Sequence, residues 1–318
     1  MRELIIGKND AGQRLDKFLG KAIPTLPVSL MYKSIRTKKI KVNRKRAEQR
    51  TMLQEGDTVQ LFIREEFFSA PSKDRSALYN IEPKLDIVYE DENIILLNKR
   101  PGVLVHEDTA GNENTLIMHL LAYLAQKGEY DPEDEQSFSP ALCNRIDRNT
   151  GGIVIAAKTA AALREMNEHI KLGNIGKFYL CAVHGTLVKK SDTLTGWLFK
   201  DSKTNKVYVT DEKQKGSKEI ITKYRVLKEK NDCSLLEVRL ITGRTHQIRA
   251  HFSHIGHPLV GDGKYGINRN DRAKGYKFQA LYAYRLIFEF PSDEGELAYL
   301  SGKEFSVPTE KIRFVGDF

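Results

Sequence analysis

The C-terminal half of the chain is rich in strand-like segments that have few helices between them. Its apolar, β-branched and aromatic runs read KFYLCAVHG, KVYVT, EIITKYRVL, SLLEVRLI and ALYAYRLIFEF. Because helices do not separate these runs regularly, the pattern is not an alternating β-α-β arrangement. It predicts an α+β domain with a mixed, mostly antiparallel β-sheet flanked by helices and loops.

Residues from 85 onwards supply the other elements of this predicted domain, which spans 85–318. Two apolar runs in LDIVYEDENIILLNKRPG, joined by an Asp-Glu-Asn turn, predict a β-hairpin. TLIMHLLAYLAQKG predicts a helix that ends near Gly128, and TAAALREMNEHIKLG predicts a helix closed by Gly173. GGIVIAA, which lies between these two segments, predicts a buried strand.

The first 66 residues predict a separate small α/β domain. Its first predicted helix, GQRLDKFLGKAI, has apolar residues at helical spacing, and VSLMYKSIRTKKI predicts a second helix after two prolines. KVNRKR predicts a strand and turn, and TVQLFI predicts a closing strand after a tight turn at EGD. Residues 67–84 mix Ser, Pro and charge without periodicity, and they predict a linker.

A dense basic run crosses this N-terminal domain. Nine Lys or Arg residues and a single acid, Glu48, lie between Lys33 and Arg50. Such a run is ordinarily a solvated surface, but its density beside a helix–turn–strand unit favours binding to RNA or DNA. The whole chain has a formal net charge of +9, which also favours a polyanionic partner. The predicted RNA-binding residues are Lys33, Arg36, Lys38, Lys39, Lys41, Arg44, Lys45 and Arg46.

Cysteine usage and hydropathy favour a soluble protein of a reducing compartment. The three cysteines form no CxxC pair and no disulfide framework. The N-terminal residues lack the long apolar run of a signal peptide, and no apolar run reaches the ~18 residues that a membrane span needs. We therefore expect a cytoplasmic protein, with a monomer as the simplest oligomeric state.

Asp147 is the first candidate for chemistry, because it lies between Arg145 and Arg148 just before an apolar strand. One interpretation is a turn residue or a structural ion pair. The other is a carboxylate that nearby guanidinium groups keep ionised and oriented, so that it acts as a nucleophile or removes a proton. Tyr179, in a strand-like run, is similarly open between a packing role and a site role.

Residues 241–266 are the second candidate, because four of the eight histidines of the chain lie there. Their spacing matches no zinc signature, and neither cysteines nor, before Asp262, carboxylates accompany them. A basic, histidine-rich helix that faces phosphates or packs beside a site is the favoured interpretation. GDGKYG, at the end of this segment, lacks the spacing of a nucleotide-binding P-loop.

Four segments together resemble one family, the pseudouridine synthases that modify large-subunit ribosomal RNA and, in some members, transfer RNA. The central motif of that family reads approximately His-Arg-Leu-Asp-x-x-Thr-Ser-Gly, and residues 144–152 read NRIDRNTGG. The other three are NKRPGVLVH (98–106), KFYLCAVHG (177–185) and LITGRTHQIRAHFSHIGHPLVGDGKYG (240–266). The N-terminal domain is similar to a small RNA-binding domain named after a protein of the small ribosomal subunit.

The resemblance implies isomerisation of specific uridines to pseudouridine in structured RNA, most often large-subunit ribosomal RNA, without a cofactor, a metal or a membrane. It implies Asp147 as the catalytic carboxylate, Arg244 as its ion-pair partner and Tyr179 as the aromatic ring that stacks on the target base. Arg145 is similar to the residue that enters the RNA where the target base has left. The other implied substrate contacts are His106, Arg148, Thr150, Thr245, His246, Gln247 and Arg249.

Four positions depart from the family pattern. Asn144 replaces His, Ile146 replaces Leu, Gly151 replaces Ser, and Tyr282 stands where the family often has the His of Leu-His-Ala. The departures beside Asp147 concern how the flipped nucleotide is held, more than the reaction. Three alternatives stay open at this point: a transfer RNA pseudouridine synthase, a non-catalytic RNA-binding or ribosome-assembly factor, and a metal-dependent nucleic-acid hydrolase built on the histidines.

Overall fold

The computed structural model describes residues 1–68, 75–107, 114–133, 135–201 and 206–318. The chain divides into two compact units: Met1–Pro83 with His119–Ala141 and Lys158–Ala161, and Lys84–Met118 with Leu142–Ala157 and Ala162–Phe318. Residues 69–74, which belong to the predicted linker 67–84, lie outside the described residues. The domain limits predicted from the sequence stay a prediction.

The N-terminal part of the first unit is a four-stranded antiparallel sheet with two short helices. Among residues 1–68 its elements are β1 (Arg2–Ile5), α1 (Leu15–Ala22), α2 (Val28–Arg36), β2 (Ile40–Val42), β3 (Lys45–Arg46) and β4 (Thr58–Leu61). The strand order is β1-β4-β2-β3. Leu15, Phe18 and Leu19 of α1 are fully buried in the core, which explains their helical spacing in the sequence.

The second unit is built on one large sheet, whereas residues 119–126, the larger part of the first helix in the list below, belong to the first unit. The remaining elements of the chain are β5 (Ile87–Glu90), β6 (Ile94–Lys99), α3 (Leu116–Gln126), β7 (Ala141–Leu142), β8 (Gly151–Ala157), α4 (Ala160–Leu172), β9 (Ile175–His184), β10 (Ser191–Asp201), β11 (Lys206–Thr210), β12 (Lys218–Lys230), β13 (Cys233–Leu240), α5 (Gln247–His254), α6 (Arg269–Ala273), β14 (Leu281–Phe288) and β15 (Glu304–Ser306).

The strand order explains why the sequence reads as mostly antiparallel. In the described residues, nine strands follow the order β11-β10-β12-β13-β9-β14-β8-β6-β5, with β15 beside β14 and β7 beside β8. Strands β8 and β14 pair in parallel, whereas β14 pairs with β9, and β6 with β8, in the antiparallel sense. The prediction of an α+β fold with a mixed, mostly antiparallel sheet is confirmed.

Strand β10 is an element that the sequence analysis does not predict. Only Gly196 and Leu198 of its residues are buried, so the alternation of apolar and polar residues that marks a strand is weak there. The strand is held instead by backbone pairing with both β11 and β12. The local sequence of β10 therefore gives only a weak prediction of a strand.

Two helices pack on this sheet, and each contributes buried residues to a hydrophobic cluster. Ala162 and Met166 of α4 are fully buried in a cluster with Ile153, Ile155 and Phe288. Ala250 of α5 lies in a second cluster that is lined by strands β10, β11 and β12. In the part of the chain that the structure describes, no helix has both the length and the apolar composition needed to cross a bilayer.

The parallel pair β8 and β14 approaches unusually closely, and this approach accounts for two departures from the family pattern. Tyr282 lies opposite Gly151, and Ala283 lies opposite Gly152. A Cβ atom added to Gly151 would lie 2.4 Å from Cε2 of the Tyr282 ring. That ring cannot swing away freely, because the Tyr282 hydroxyl donates a 2.7 Å hydrogen bond to Oδ1 of Asn98. Glycine at 151 therefore makes room for tyrosine at 282.

We predict that Gly151→Ser lowers the free energy of unfolding by about 1–3 kcal/mol, because the new side chain overpacks against Tyr282. Adding Tyr282→His should recover at least half of that loss, since the smaller ring vacates the space. Urea denaturation of the parent, both single variants and the double variant measures the coupling. Strictly additive effects would show that the two positions do not constrain each other.

Candidate active site

A cavity of about 730 Å³ opens in the second unit beside the loop that carries Asp147. Its volume lies within the range of pockets that hold small ligands. The tertiary structure gathers around it every residue predicted from the sequence as catalytic or substrate-binding: His106, Arg145, Asp147, Arg148, Thr150, Tyr179, Arg244, Thr245, His246, Gln247 and Arg249. Their roles in the reaction stay predictions.

The loop between β7 and β8 holds Asp147 by contacts on both sides. The backbone N–H of Thr150 donates to the carbonyl oxygen of Asp147 at 3.0 Å, and the Gln279 amide donates to the Thr150 hydroxyl at 3.1 Å. On the other side, Oδ1 of Asn144 accepts a 2.8 Å hydrogen bond from the backbone N–H of Ile155. Asn144 therefore ties the start of the loop to strand β8.

The cation that pairs with Asp147 is Arg249, so the prediction that Arg244 forms this ion pair is wrong. Arg249 Nη1 donates to Asp147 Oδ2 at 2.9 Å. Arg244 is exposed at the cavity, and no ion pair joins it to Asp147 among the described residues. Arg244 precedes α5, whereas Arg249 lies on the buried face of that helix. The helix therefore decides which of the two arginines faces the carboxylate.

Arg249 is shared between two carboxylates. Its Nε donates to Asp262 Oδ2 at 2.6 Å, and its Nη2 donates to Asp262 Oδ1 at 2.9 Å. Burial alone would raise the pKa of Asp262, but the hydrogen bonds and charge of Arg249 outweigh burial and lower this pKa below its usual value. Asp262 is therefore ionised at neutral pH, although its side chain is fully buried.

His246 approaches the same carboxylate from another side. Its Nε2 lies 3.8 Å from Asp147 Oδ2, and its Nδ1 lies 2.8 Å from the Tyr265 hydroxyl. That hydroxyl also accepts a hydrogen bond from the backbone N–H of Val207. Burial lowers the pKa of His246 despite the opposing charge of Asp147. The imidazole is therefore neutral at neutral pH, and its Nε2 faces Asp147 Oδ2.

Tyr179, on strand β9, lines the cavity with a side chain that is largely buried. Burial raises the pKa of its hydroxyl, and the negative charge of Asp147 raises this pKa further. The hydroxyl is therefore protonated at neutral pH. Tyr179 can present an aromatic face or a hydrogen-bond donor to a ligand, but it cannot serve as an anionic base.

The histidines after residue 241 do not converge on one point. His251 bonds to Thr222, His254 bonds to Asp211, and His257 bonds to the carbonyl oxygen of His184. Across the described ranges, no three side chains of His, Cys, Asp or Glu are grouped so that they could hold a metal ion. The histidines instead tie α5 and the loop after it to the neighbouring strands.

Three lysines that the sequence analysis does not single out also line the cavity: Lys177, Lys200 and Lys264. Burial lowers the pKa of Lys177, and burial together with the charge of Arg249 lowers the pKa of Lys264. Nothing in their local pattern distinguishes them from surface lysines, because their position depends on strand pairing and on the turn after α5. They give the cavity a positive lining that suits a phosphate-bearing ligand.

Lys99 is a buried cation that fastens the segment before the cavity to the loop of Asp147. Its Nζ donates to the carbonyl oxygens of Arg100, Val103 and Arg148 at 3.2, 3.0 and 2.9 Å. Burial lowers the pKa of Lys99 to about 8, although the charge of Asp147 acts in the opposite direction. Its contacts are thus with neutral carbonyl groups, two of them within residues 100–103 and one beside the candidate carboxylate.

Comparison with known proteins places this fold and cavity in a defined class. Residues 93–254 match the family described as RNA pseudouridylate synthase. The chain is 33% identical to an uncharacterised RNA pseudouridine synthase of Mycoplasma genitalium, over 90% of this chain and 88% of that protein. It is 32% identical to the ribosomal large subunit pseudouridine synthase C of Buchnera aphidicola, over 84% of this chain and 82% of that protein.

Solved structures show the same fold. Human RNA pseudouridylate synthase domain containing 1 superimposes with a TM-score of 0.56 at 23% identity, covering 71% of this chain and 84% of that chain. Human RNA pseudouridylate synthase domain containing 4 gives a TM-score of 0.53 at 20% identity, covering 74% and 90% respectively.

The chain belongs to the RNA pseudouridylate synthase family. It is therefore an isomerase that converts uridine in RNA to pseudouridine, and RNA is its substrate.

Lys99 generates a pH-dependent prediction. Its pKa is about 8 in the folded chain and near 10.5 in the unfolded chain, so between these values the unfolded state binds more protons. The free energy of unfolding should therefore rise with pH across this window, by about 2–3 kcal/mol more in the parent than in Lys99→Met. Urea denaturation between pH 7.5 and about 10.5 measures both profiles, and parallel profiles would contradict the prediction.

Proposed function

We propose that this enzyme modifies uridines of large-subunit ribosomal RNA, with Asp147 as the catalytic carboxylate and Arg249 as its ion-pair partner. The single observation that supports the site assignment is the cavity itself, in which an ionisable carboxylate, a buried guanidinium and a protonated tyrosine face one space. Relatives named ribosomal large subunit pseudouridine synthase C, 30–32% identical over most of the chain, support the RNA class. The cytoplasm is the compartment that fits this substrate.

The reaction requires one carboxylate next to the sugar and the base. The bond between C1′ and N1 breaks, the uracil turns, and a bond between C1′ and C5 forms, while C5 loses a proton and N1 gains one. Atoms and electrons balance without an external oxidant, reductant or energy source. Asp147 either attacks the nucleotide covalently or removes a ribose proton to give a glycal, and both routes need an ionised carboxylate with one free oxygen.

The geometry around Asp147 supports this role. Oδ2 accepts the hydrogen bond from Arg249, whereas Oδ1 accepts no hydrogen bond from any residue that the structure describes. The side chain is 24% exposed, so a ligand in the cavity can reach it. The face of Tyr179 suits stacking on an extruded uracil, which is worth about 1–3 kcal/mol for a base. Stacking offsets part of the few kcal/mol that extrusion costs.

Arg145 and Arg244 are two of the exposed cations that line the cavity, together with Arg148 and Lys200. Arg145 lies in the same loop as Asp147, two residues before it, so it suits the space in the RNA that the target base has left. A planar guanidinium can stack on neighbouring bases and bond to phosphates. Arg244, freed of the ion pair assigned to it from the sequence, is available for a phosphate of the substrate.

We predict that Asp147→Asn lowers the rate of pseudouridine formation by on the order of 10⁴-fold or more, because the neutral amide can neither attack nor take a proton. The RNA dissociation constant should change by less than about threefold, since the shape of the side chain is kept. Release of tritium from C5-labelled uridine measures the rate. Asp192→Asn, at a half-buried position of β10 outside the cavity, is the control. Turnover near that of the control would refute the assignment.

The RNA class is tested by mapping pseudouridines in total RNA from cells with and without the enzyme. Loss of pseudouridine from large-subunit ribosomal RNA is the expected result. Loss confined to transfer RNA would contradict this part of the proposal while leaving the reaction unchanged. Substrate RNA is expected to be structured, and the enzyme is expected to act as a monomer.

We further propose that the basic surface of the first unit binds the substrate RNA. This surface consists of Lys33, Arg36, Lys38, Lys39, Lys41, Arg44, Lys45 and Arg46, and all but Lys41 are exposed. Within the described part of the chain, none of the eight forms an ion pair with a carboxylate. Positive charge that is not neutralised by the protein can be neutralised by phosphates, with release of counterions.

Local backbone geometry explains how this surface is presented. The two residues between β2 and β3, Asn43 and Arg44, both have positive φ, at 51° and 63°. Such a two-residue turn joins tightly paired antiparallel strands. The Asn43 side chain fixes it, because Nδ2 donates to Asp57 at 2.7 Å and Oδ1 accepts from the Thr58 N–H at 2.9 Å. Arg44 is thereby held at the tip of a rigid hairpin.

We predict that RNA binding weakens when Gln replaces Lys38, Lys39, Arg44 and Lys45 together. The slope of log K against log salt concentration, where K is the association constant for RNA, should become less steep by about 2–4. The rate at saturating RNA should be unchanged, because these residues lie outside the cavity. Filter binding at several salt concentrations measures the slope. Gln at Lys215, Lys218, Lys223 and Lys228 removes the same number of exposed charges elsewhere. An equal effect of this control would show that only net charge matters.

A further inference from the structure

Arg249 reaches Asp147 with only one of its nitrogens. Its Nε and Nη2 form a two-point pair with Asp262, at 2.6 and 2.9 Å, and Nη1 is left for Asp147 at 2.9 Å. A two-point pair fixes the plane of a guanidinium as well as its distance. The direction in which Nη1 points is therefore set by Asp262, on the far side of the guanidinium from the candidate carboxylate.

We propose that Asp262 is a positioning residue for the isomerisation: by fixing the plane of Arg249, it orients Asp147 so that Oδ1 faces the substrate. This inference rests on the proposed role of Asp147. Asp262 does not line the cavity, and its side chain is fully buried, so it acts through Arg249 rather than on the RNA.

The surroundings of Asp262 show why it can hold Arg249 rigidly. Its Oδ1 also accepts hydrogen bonds from the backbone N–H groups of Lys264 and Tyr265, at 2.9 and 3.2 Å. These bonds join the carboxylate to the turn that carries Tyr265, whose hydroxyl contacts His246. One buried carboxylate therefore connects the two groups that approach Asp147 Oδ2. Without it, Arg249 would be a buried cation with a single, partly exposed partner.

A structural role in the turn is the competing explanation, and the substitution Asp262→Asn separates the two. Asparagine keeps an oxygen for the N–H groups of Lys264 and Tyr265. It places an amide N–H₂ opposite Arg249 Nε, where two donors would face each other. The turn is thus largely preserved, while the plane of the Arg249 guanidinium is no longer fixed by a two-point pair. Asp271→Asn is the matched control, because Asp271 is also buried and accepts the N–H of Gly261 in the same loop, without touching Arg249.

We expect Asp262→Asn to lower the single-turnover rate by about 10²-fold, the effect of a misplacement of about 1 Å at a reacting group. The RNA dissociation constant should stay within about threefold of the parent value, because Asp262 does not reach the cavity. Asp271→Asn should keep the parent rate. A rate for Asp262→Asn equal to that of Asp271→Asn would overturn the proposal.

Arg249→Lys supplies a second test that leaves Asp262 unchanged. A lysine keeps the charge but cannot form a two-point pair with Asp262 and still reach Asp147. The rate of Arg249→Lys should fall at least as far as that of Asp262→Asn. The rate of the double variant should be little lower than that of either single variant, since both changes break the same Arg249–Asp262 pair. A parent-like rate for Arg249→Lys, or additive losses in the double variant, would also overturn the proposal.

The same assay separates this inference from the assignment of Asp147. If Asp147→Asn stays active, the catalytic assignment fails and the positioning role fails with it. If Asp147→Asn is inactive while Asp262→Asn matches its control, only the positioning role fails. Thermal unfolding of every variant is measured as well, and the rates are compared at a temperature at which every variant is folded.

Discussion

The hydrogen-bonded ion pair between Arg249 and Asp147 is the contact around which the candidate site is organised. It joins a loop between β7 and β8 to helix α5, across 102 residues of sequence. Removing either partner would leave a charge in a region of reduced polarity, which is costly. The pair therefore joins two segments of the fold, and it also fixes the orientation of the carboxylate that the reaction needs.

The large sheet supports this pair through close approaches that few residue types permit. Strand β9 supplies Tyr179, and it lies next to β14, which in turn lies against β8 through Gly151 and Gly152. A Cβ atom on Gly152, whose φ is +118°, would lie 2.2 Å from the carbonyl oxygen of Ala283. Glycine there allows β8 to begin directly after the Asp147 loop, so the loop enters the cavity at a fixed point.

Much of the fold was predictable, because its helices and most of its strands carry strong periodic patterns. Strand β8 has the predicted bounds Gly151–Ala157, and α4 ends one residue before the predicted Gly173. Strand β10 was not predictable, since its neighbours rather than its own pattern hold it. The residues that the motifs single out line one cavity, but the prediction of Arg244 rather than Arg249 as the ion-pair partner of Asp147 was wrong. Spacing in a motif does not show that Arg249, inside helix α5, is buried beside Asp147, whereas Arg244, before that helix, is exposed.

The sequence by itself determined the class of protein, eleven of the residues that line the cavity and the positive charge of the N-terminal surface, because motifs and charge runs are local properties of a chain. Only the tertiary structure decided which arginine meets Asp147, that Asp262 holds that arginine, and that Tyr282 needs glycine at 151. Each of these depends on distances between segments far apart in sequence. Such distances follow from packing and strand register, which a local pattern does not specify.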